Sequence, residues 1–156
     1  DPAAATTTTT TTPAVVVVAE RSLTLGDRAF ASLGVTDATS RILYDLASRE
    51  LVAAVHTKHV RAAHIFVDAP AAVCLERLRG RGRASERGVA LEYLEAIDAA
   101  HRRQIDRLRA DGVRVVAIDG TGTKADVLRA ADRALRDLVA TMLSTKNDDA
   151  HGDFEA

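Results

Sequence analysis

Arg77, Arg79, Arg81 and Arg83 alternate through the stretch VCLERLRGRGRASERGVALEYLEA, Val73 to Ala96. Guanidiniums hold a permanent charge and a planar fork of donors. Several on one short segment can therefore make paired hydrogen bonds to phosphate oxygens. If a helix over Ala71 to Leu78 continues to Arg81, then Arg77 and Arg81 share a face at i and i+4, with Arg83 just beyond. Such a group on a mobile loop folds over a polyphosphate. The bland alternative is a charged, solvated helix end favoured by the helix dipole, and on composition alone it leads.

Other residues with chemical potential are scattered. The triplet Glu20-Arg21-Ser22 follows VVVVA. A carboxylate at the end of a buried strand can hold Mg²⁺ through one or two oxygens, and a neighbouring arginine can stabilise developing negative charge. The same triplet also reads as a surface ion pair. DGTGTK, from Asp119, has glycines after a strand but neither GxGxxG nor GxxxxGK(S/T) spacing, so it reads as a turn positioned to touch a nucleotide base. Asp27-Arg28 reads as a local surface pair. His101 falls on the apolar side of a long helix and reads as a packed histidine. His56, His59 and His64 lack metal-site spacing.

Bulk composition narrows the classes. Net charge is -1, from 21 basic and 22 acidic residues, which argues against a nucleic-acid partner. Cys74 is the single cysteine, so no internal disulfide can form, in keeping with the cytoplasm or another reducing compartment. No apolar run is long enough for a bilayer, so no membrane partner is expected. Aromatic residues are 3% and Trp is absent, so Ala, Val and Leu must build a core of modest stability.

The elements that must position these groups follow from periodicity. Residues 1–14, DPAAATTTTTTTPA, are a low-complexity linker. Val15 to Ala19 reads as a strand buried on both faces. A loop and short helix reach Leu33, and Gly34 breaks it. Asp37 opens a helix to about Val60 with Leu43, Leu46, Ala47, Leu51, Ala54 and Val55 as its apolar stripe. His64 to Pro70 reads as a second buried strand. Ala71 to Leu78 should be helical, with Val73, Cys74 and Leu78 inward.

Arg79 to Gly88 reads as a flexible loop. Leu91 to Leu108 forms a helix with Leu91, Leu94, Ile97, His101, Ile105 and Leu108 on one side. Val113 to Asp119 is the third strand. Thr123 and Asp126 cap a last helix carrying Val127, Leu128, Ala131, Leu135, Leu138 and Met142. The polar tail, 144–156, frays. Strand and helix alternate, which implies an α/β fold with a parallel sheet flanked by helices. Three strands are few for such a sheet (about five is typical), so further strands are expected before Asp1.

The order of the pieces resembles the deoxynucleoside kinase family, which includes the deoxycytidine, deoxyguanosine and mitochondrial thymidine kinases. The family shows strand-ERS, then a (S/T)DR-like segment with a Phe, then CLxRLxxRxRxEExGxPLxYLxxLH. Here these correspond to VVVVAERS, DRAFA and VCLERLRGRGRASERGVALEYLEAID. The resemblance covers about Val15 to Leu143. It implies a three-layer P-loop-kinase-like fold over residues 15–143. It also implies transfer of the terminal phosphoryl group of ATP, with Mg²⁺, to the 5′-hydroxyl of a deoxynucleoside, and homodimers are common in the family.

Carried over by position, Glu20 is similar to the Mg²⁺-side carboxylate and Arg21 to the arginine beside the 5′-oxygen. Phe30 resembles the aromatic that stacks on the base. Arg77, Arg81 and Arg83 resemble the lid arginines over the phosphates, and Glu86 the acid that holds the sugar 3′-hydroxyl. Asp119 and Gly120 fall in the loop near adenine.

There are departures. Ser85 stands where the family often has the first Glu of a pair, Ala90 replaces the usual Pro, and Gly26 adds a residue before Asp27. In DAPAAVC the Pro comes one position early. The GxxxxGK(S/T) motif and the strand-end Glu that deprotonates the 5′-hydroxyl are absent from these 156 residues, so the N-terminal strands and P-loop are expected to be missing. An incomplete, inactive kinase portion is thus the first reading. A non-catalytic nucleoside-binding or dimerisation remnant is the second. A thymidylate-kinase-like nucleoside monophosphate kinase, to which VDAPAAVCLERLRGRGR is tolerably similar, is the third.

Overall fold

A computed structural model describes residues 15–20, 22, 24–55 and 61–149, apart from the side chains of Val55 and residues 145–149. The linker 1–14, Arg21 and the tail from residue 150 lie outside the described residues. The order is α1 (Gly26–Gly34), α2 (Ala38–Val55), β1 (Ala63–Asp68), α3 (Ala71–Arg81), a 3-10 turn (Ala84–Glu86), α4 (Leu91–Ala110), β2 (Arg114–Asp119) and α5 (Lys124–Asp149). The expected α/β class is present: β1 and β2 pair in parallel, Ala63 opposite Arg114 through Asp68 opposite Asp119.

Strand alternation assigns the two faces of this small sheet. Phe66 and Val115 point to one face, where they pack with Val113 against Leu25, Ile105 and Leu108. Helix α4 therefore covers that side, with α1 packed on α4. The register turns Ile65, Val116 and Ile118 to the opposite face, and α5 packs against both strands. The core is thin. No large side chain among the described residues is fully buried, as an Ala-rich, aromatic-poor sequence implies.

The helix boundaries have local causes. The Asp37 carboxylate accepts the Ser40 backbone N–H at 2.8 Å and caps α2. Thr123 and Asp126 cap α5 reciprocally: the Asp126 N–H donates to Thr123 Oγ1 (3.2 Å) and the Thr123 N–H to Asp126 Oδ2 (3.1 Å). Helix α3 ends at Gly82, whose φ of 69° suits glycine and lets its N–H reach the carbonyls of Leu78 and Arg79. Helix α5 continues to Asp149, so residues 144–149 of the expected polar tail are helical.

Three packing expectations are corrected. Val15 to Ala19 is not a strand, and Val15 and Val17 are 84% and 83% exposed. A strand needs a hydrogen-bonding neighbour, and the sheet among the described residues contains only β1 and β2. The apolar stripe of α2 faces outward, with Leu43, Leu46 and Leu51 exposed, while Ser48 is buried. Hydrophobic periodicity marks a face that wants cover, but the less exposed side of α2 is the one that carries Tyr44, Ser48 and Val52. In α5, Leu128 is exposed; in α3, by contrast, Val73, Cys74 and Leu78 are half-buried on the covered side as expected, together with the buried Leu75.

Where β2 ends, Gly120 is buried and its N–H donates to the Asp68 carbonyl at 2.7 Å. A Cβ there would stand 2.8 Å from the Asp68 carbonyl oxygen and 3.1 Å from the Ala69 Cβ. Backbone on one side and a small side chain on the other cannot swing away. Gly120→Ala is expected to lower unfolding free energy by about 1–3 kcal/mol in a urea titration, the range for overpacking.

Candidate active site

Both strands end at the same edge, with Asp68 and Asp119 in register. The carboxyl edge of a parallel sheet is where α/β folds place ligands. Two segments meet there: the turn after β2 and helix α3.

Arg77 joins them. Its guanidinium donates to the carbonyls of Gly120 (2.5 Å), Thr121 (3.0 Å) and Gly122 (2.9 Å). Asp119 folds the same turn from its other end. Its Oδ1 accepts the Thr121 backbone N–H (2.8 Å) and hydroxyl (2.7 Å). The backbone and hydroxyl donors of Thr121, with the nearby Arg77 charge, hold the Asp119 carboxyl below its ordinary value.

Beyond α3, Arg81 and Glu86 form a two-pronged pair. Arg81 Nε donates to Glu86 Oε2 at 3.2 Å and its terminal nitrogen to Oε1 at 2.7 Å. Arg83 adds a contact of 3.6 Å to Oε1. The 3-10 turn makes this possible, because it folds residues 84–86 back toward the end of α3. A small cavity opens beside them, lined by Leu78, Arg79, Arg83, Glu86 and Arg87. Chemically, this is a pair of exposed cations neutralised by one carboxylate, where α3 ends and the next loop begins.

Residues 3–143 match the family model described as deoxynucleoside kinase. The chain belongs to the deoxynucleoside kinase family. None of the curated proteins compared with it matches its sequence. The family assignment gives the arginine loop a context that composition lacked: it lies in a domain of the deoxynucleoside kinase family, directly after the helix whose Arg77 holds the turn after β2.

Within this deoxynucleoside kinase domain, the sequence-derived residues sort into groups. Arg81, Arg83 and Glu86 are together. Arg77, Asp119 and Gly120 are together at the neighbouring turn. Phe30 sits on α1, 37% exposed, edge-on to His101 with ring centroids 5.7 Å apart. His101 also packs by Phe66 at 6.0 Å and its Nδ1 donates to the Ile97 carbonyl, so it is the packed histidine expected. Glu20 is exposed, and among the described residues no hydrogen bond or ion pair joins it to the others. Arg21 lies outside the described residues. Among the described residues, no group of three metal-binding side chains converges, and no helix is long and apolar enough to cross a membrane.

Two features were not anticipated. The carbonyl grip of Arg77 has no sequence signal beyond a charged residue on a helix. Asp27 and Arg28 do not pair; Arg28 is half-buried and its Nε meets no hydrogen-bond partner among the described residues.

The two arginines on α3 should separate by stability. Arg77→Ala is expected to cost about 1–2 kcal/mol, because three carbonyls lose a charged donor. Arg81→Ala should cost less than about 1 kcal/mol, as for exposed ion pairs. Chemical denaturation of both variants checks this. The turn should also respond to acid. Since the Asp119 carboxyl is held below 3.8, its contribution to folding is full above that value and is lost as pH falls through the depressed one. The Thr121 amide, followed by NMR, should lose its hydrogen-bonded shift only at pH values below the ordinary aspartate range.

Proposed function

We propose that this domain serves in the ATP-dependent phosphorylation of a deoxynucleoside 5′-hydroxyl, in concert with a segment carrying a GxxxxGK(S/T) phosphate loop. The observation that carries this reading is the contact of Arg81 and Arg83 with Glu86. It joins the groups for phosphate and for sugar in one cluster. Phosphoryl transfer depends on positioning and charge neutralisation. In this reading Arg81 and Arg83 bind the phosphates of ATP. Arg77 holds the turn on which Asp119 and Gly120 meet adenine, and so acts through that turn. Phe30 stacks on the nucleobase, and Arg21 steadies the 5′-oxygen.

Glu86 accepts the sugar 3′-hydroxyl. It is engaged by Arg81 and Arg83 in the ligand-free state, so phosphates that draw these arginines away release it for the sugar. Ser85 leaves Glu86 without the second acid common in the family, and the sugar contact rests on one carboxylate. Mg²⁺ binds through one or two carboxylates when substrate phosphates supply the rest. Glu20 is suited to that limited role, and when bound the ion would neutralise phosphate charge.

A second reading rests on a sequence fact. These 156 residues contain no GxxxxGK(S/T) motif, so on their own they bind nucleoside or nucleotide without transferring phosphate, or serve a homodimer. Both readings meet one experiment. A protein extended through the coding region upstream of Asp1 is incubated with γ-labelled ATP and each deoxynucleoside. Label should appear in a deoxynucleoside monophosphate, and Arg81→Ala should lower kcat by about 100-fold or more. Undiminished kcat in that variant removes the phosphate role of Arg81. Label transferred only to a nucleoside monophosphate would move the acceptor to the thymidylate-kinase type, and no transfer with saturable deoxynucleoside binding selects the non-catalytic reading.

A further inference from the structure

A second basic feature lies between α1, α2 and α4. A cavity of about 380 Å³ is lined by Arg28 of α1, Arg41, Tyr44 and Asp45 of α2, and Arg103 and Arg107 of α4. It shares no lining residue with the cavity beside Arg83 and Glu86. Four guanidiniums face one carboxylate, Asp45.

Their hydrogen bonding is incomplete. Arg41 donates to the carbonyls of Ser32 (3.2 Å) and Val35 (2.6 Å), which fixes the α1–α2 junction at the cavity wall. Arg28 Nε is buried and has no partner among the described residues. The Arg103 and Arg107 side chains form no ion pair or hydrogen bond among the described residues. Like charges at i and i+4 on a helix repel, and a buried N–H without an acceptor is unfavourable. One multivalent anion would relieve both.

We propose that this cavity is a binding site for a polyphosphate chain. Guanidiniums from three helices converge, which suits an anion long enough to touch several at once through paired hydrogen bonds. The volume lies in the range of small-molecule sites and exceeds the needs of a single phosphate. Two sources share this chemistry, inorganic polyphosphate and the triphosphate tail of a nucleotide. Tyr44 distinguishes them in principle, since its ring offers a base a surface beside the arginines.

The test is calorimetric titration of the 156-residue chain with inorganic tripolyphosphate and, separately, with a deoxynucleoside triphosphate. Saturable binding is expected, weakened at least tenfold when Arg103→Gln and Arg107→Gln are combined. Both positions are exposed, and circular dichroism establishes that the variant retains its helices. A variant that does not fold is replaced by Arg103→Lys with Arg107→Lys, which keeps the charge but removes the fork and should still weaken binding. In parallel, ¹⁵N NMR of the wild-type chain should show the Arg28 Nε–H shifting with ligand. Equal affinity for the two ligands identifies the phosphate chain as the recognised group. At least tenfold tighter binding of the nucleotide identifies a nucleotide site. The proposal is overturned if neither ligand saturates, if the Arg28 signal does not move, or if neither α4 double variant changes affinity.

Discussion

The carboxyl edge of this domain is organised by one guanidinium. Arg77 reaches from α3 to three successive carbonyls, Gly120, Thr121 and Gly122. Those carbonyls belong to the turn that links β2 to α5. Gly120 in turn donates to Asp68 at the end of β1, with no room for a side chain. Four elements, β1, β2, α3 and α5, therefore meet through one side chain and one glycine. Because hydrogen bonds to a charged donor are stronger than neutral ones, a thin core can be supplemented here by polar geometry. The start of the arginine loop is thereby set, since α3 is oriented by the residue one turn before Arg81.

How much of this could be read in the sequence depends on whether the signal was local. Caps are local: Asp37 with Ser40, and Thr123 with Asp126, were legible because each motif closes within three residues. The strands at Ala63–Asp68 and Arg114–Asp119 were legible because apolar runs are bounded by Pro70, Gly112 and Gly120. The valine run misleads because strand formation belongs to a pair of segments. β-branched residues make a strand favourable, but they cannot provide the neighbour's N–H and C=O groups. The stripe on α2 shows the same limit, since its apolar side is set by sequence and the side it turns inward by where the helix sits in the fold.

The candidate site follows the same division. Arg81, Arg83 and Glu86 lie within six positions, and their spacing with Leu91 and Tyr93 carried the family resemblance. Family membership then rested on the match over residues 3–143. Arg77 sits in the same stretch, yet its partners are more than forty positions away, so spacing alone could not show that it grips a turn. The basic cavity is less legible still. Arg28, Arg41, Arg103 and Arg107 come from three helices, and each alone looks like an ordinary surface residue.

The pairing of Arg81 with Glu86 sets the energetic character of the loop. Arg81 is half-exposed and Glu86 is 20% exposed. Ion pairs in such surroundings contribute about 0–1 kcal/mol. That is enough to hold the loop in one arrangement and too little to resist a polyphosphate, whose oxygens carry more charge than one carboxylate. In the proposed reaction, the phosphates and Glu86 thus compete for the same guanidiniums. Capture of the phosphates frees the carboxylate that the sugar needs, so the two substrates would favour each other's binding. A tighter, buried pair would have blocked this exchange, and no pair at all would have left two cations repelling each other on an empty loop.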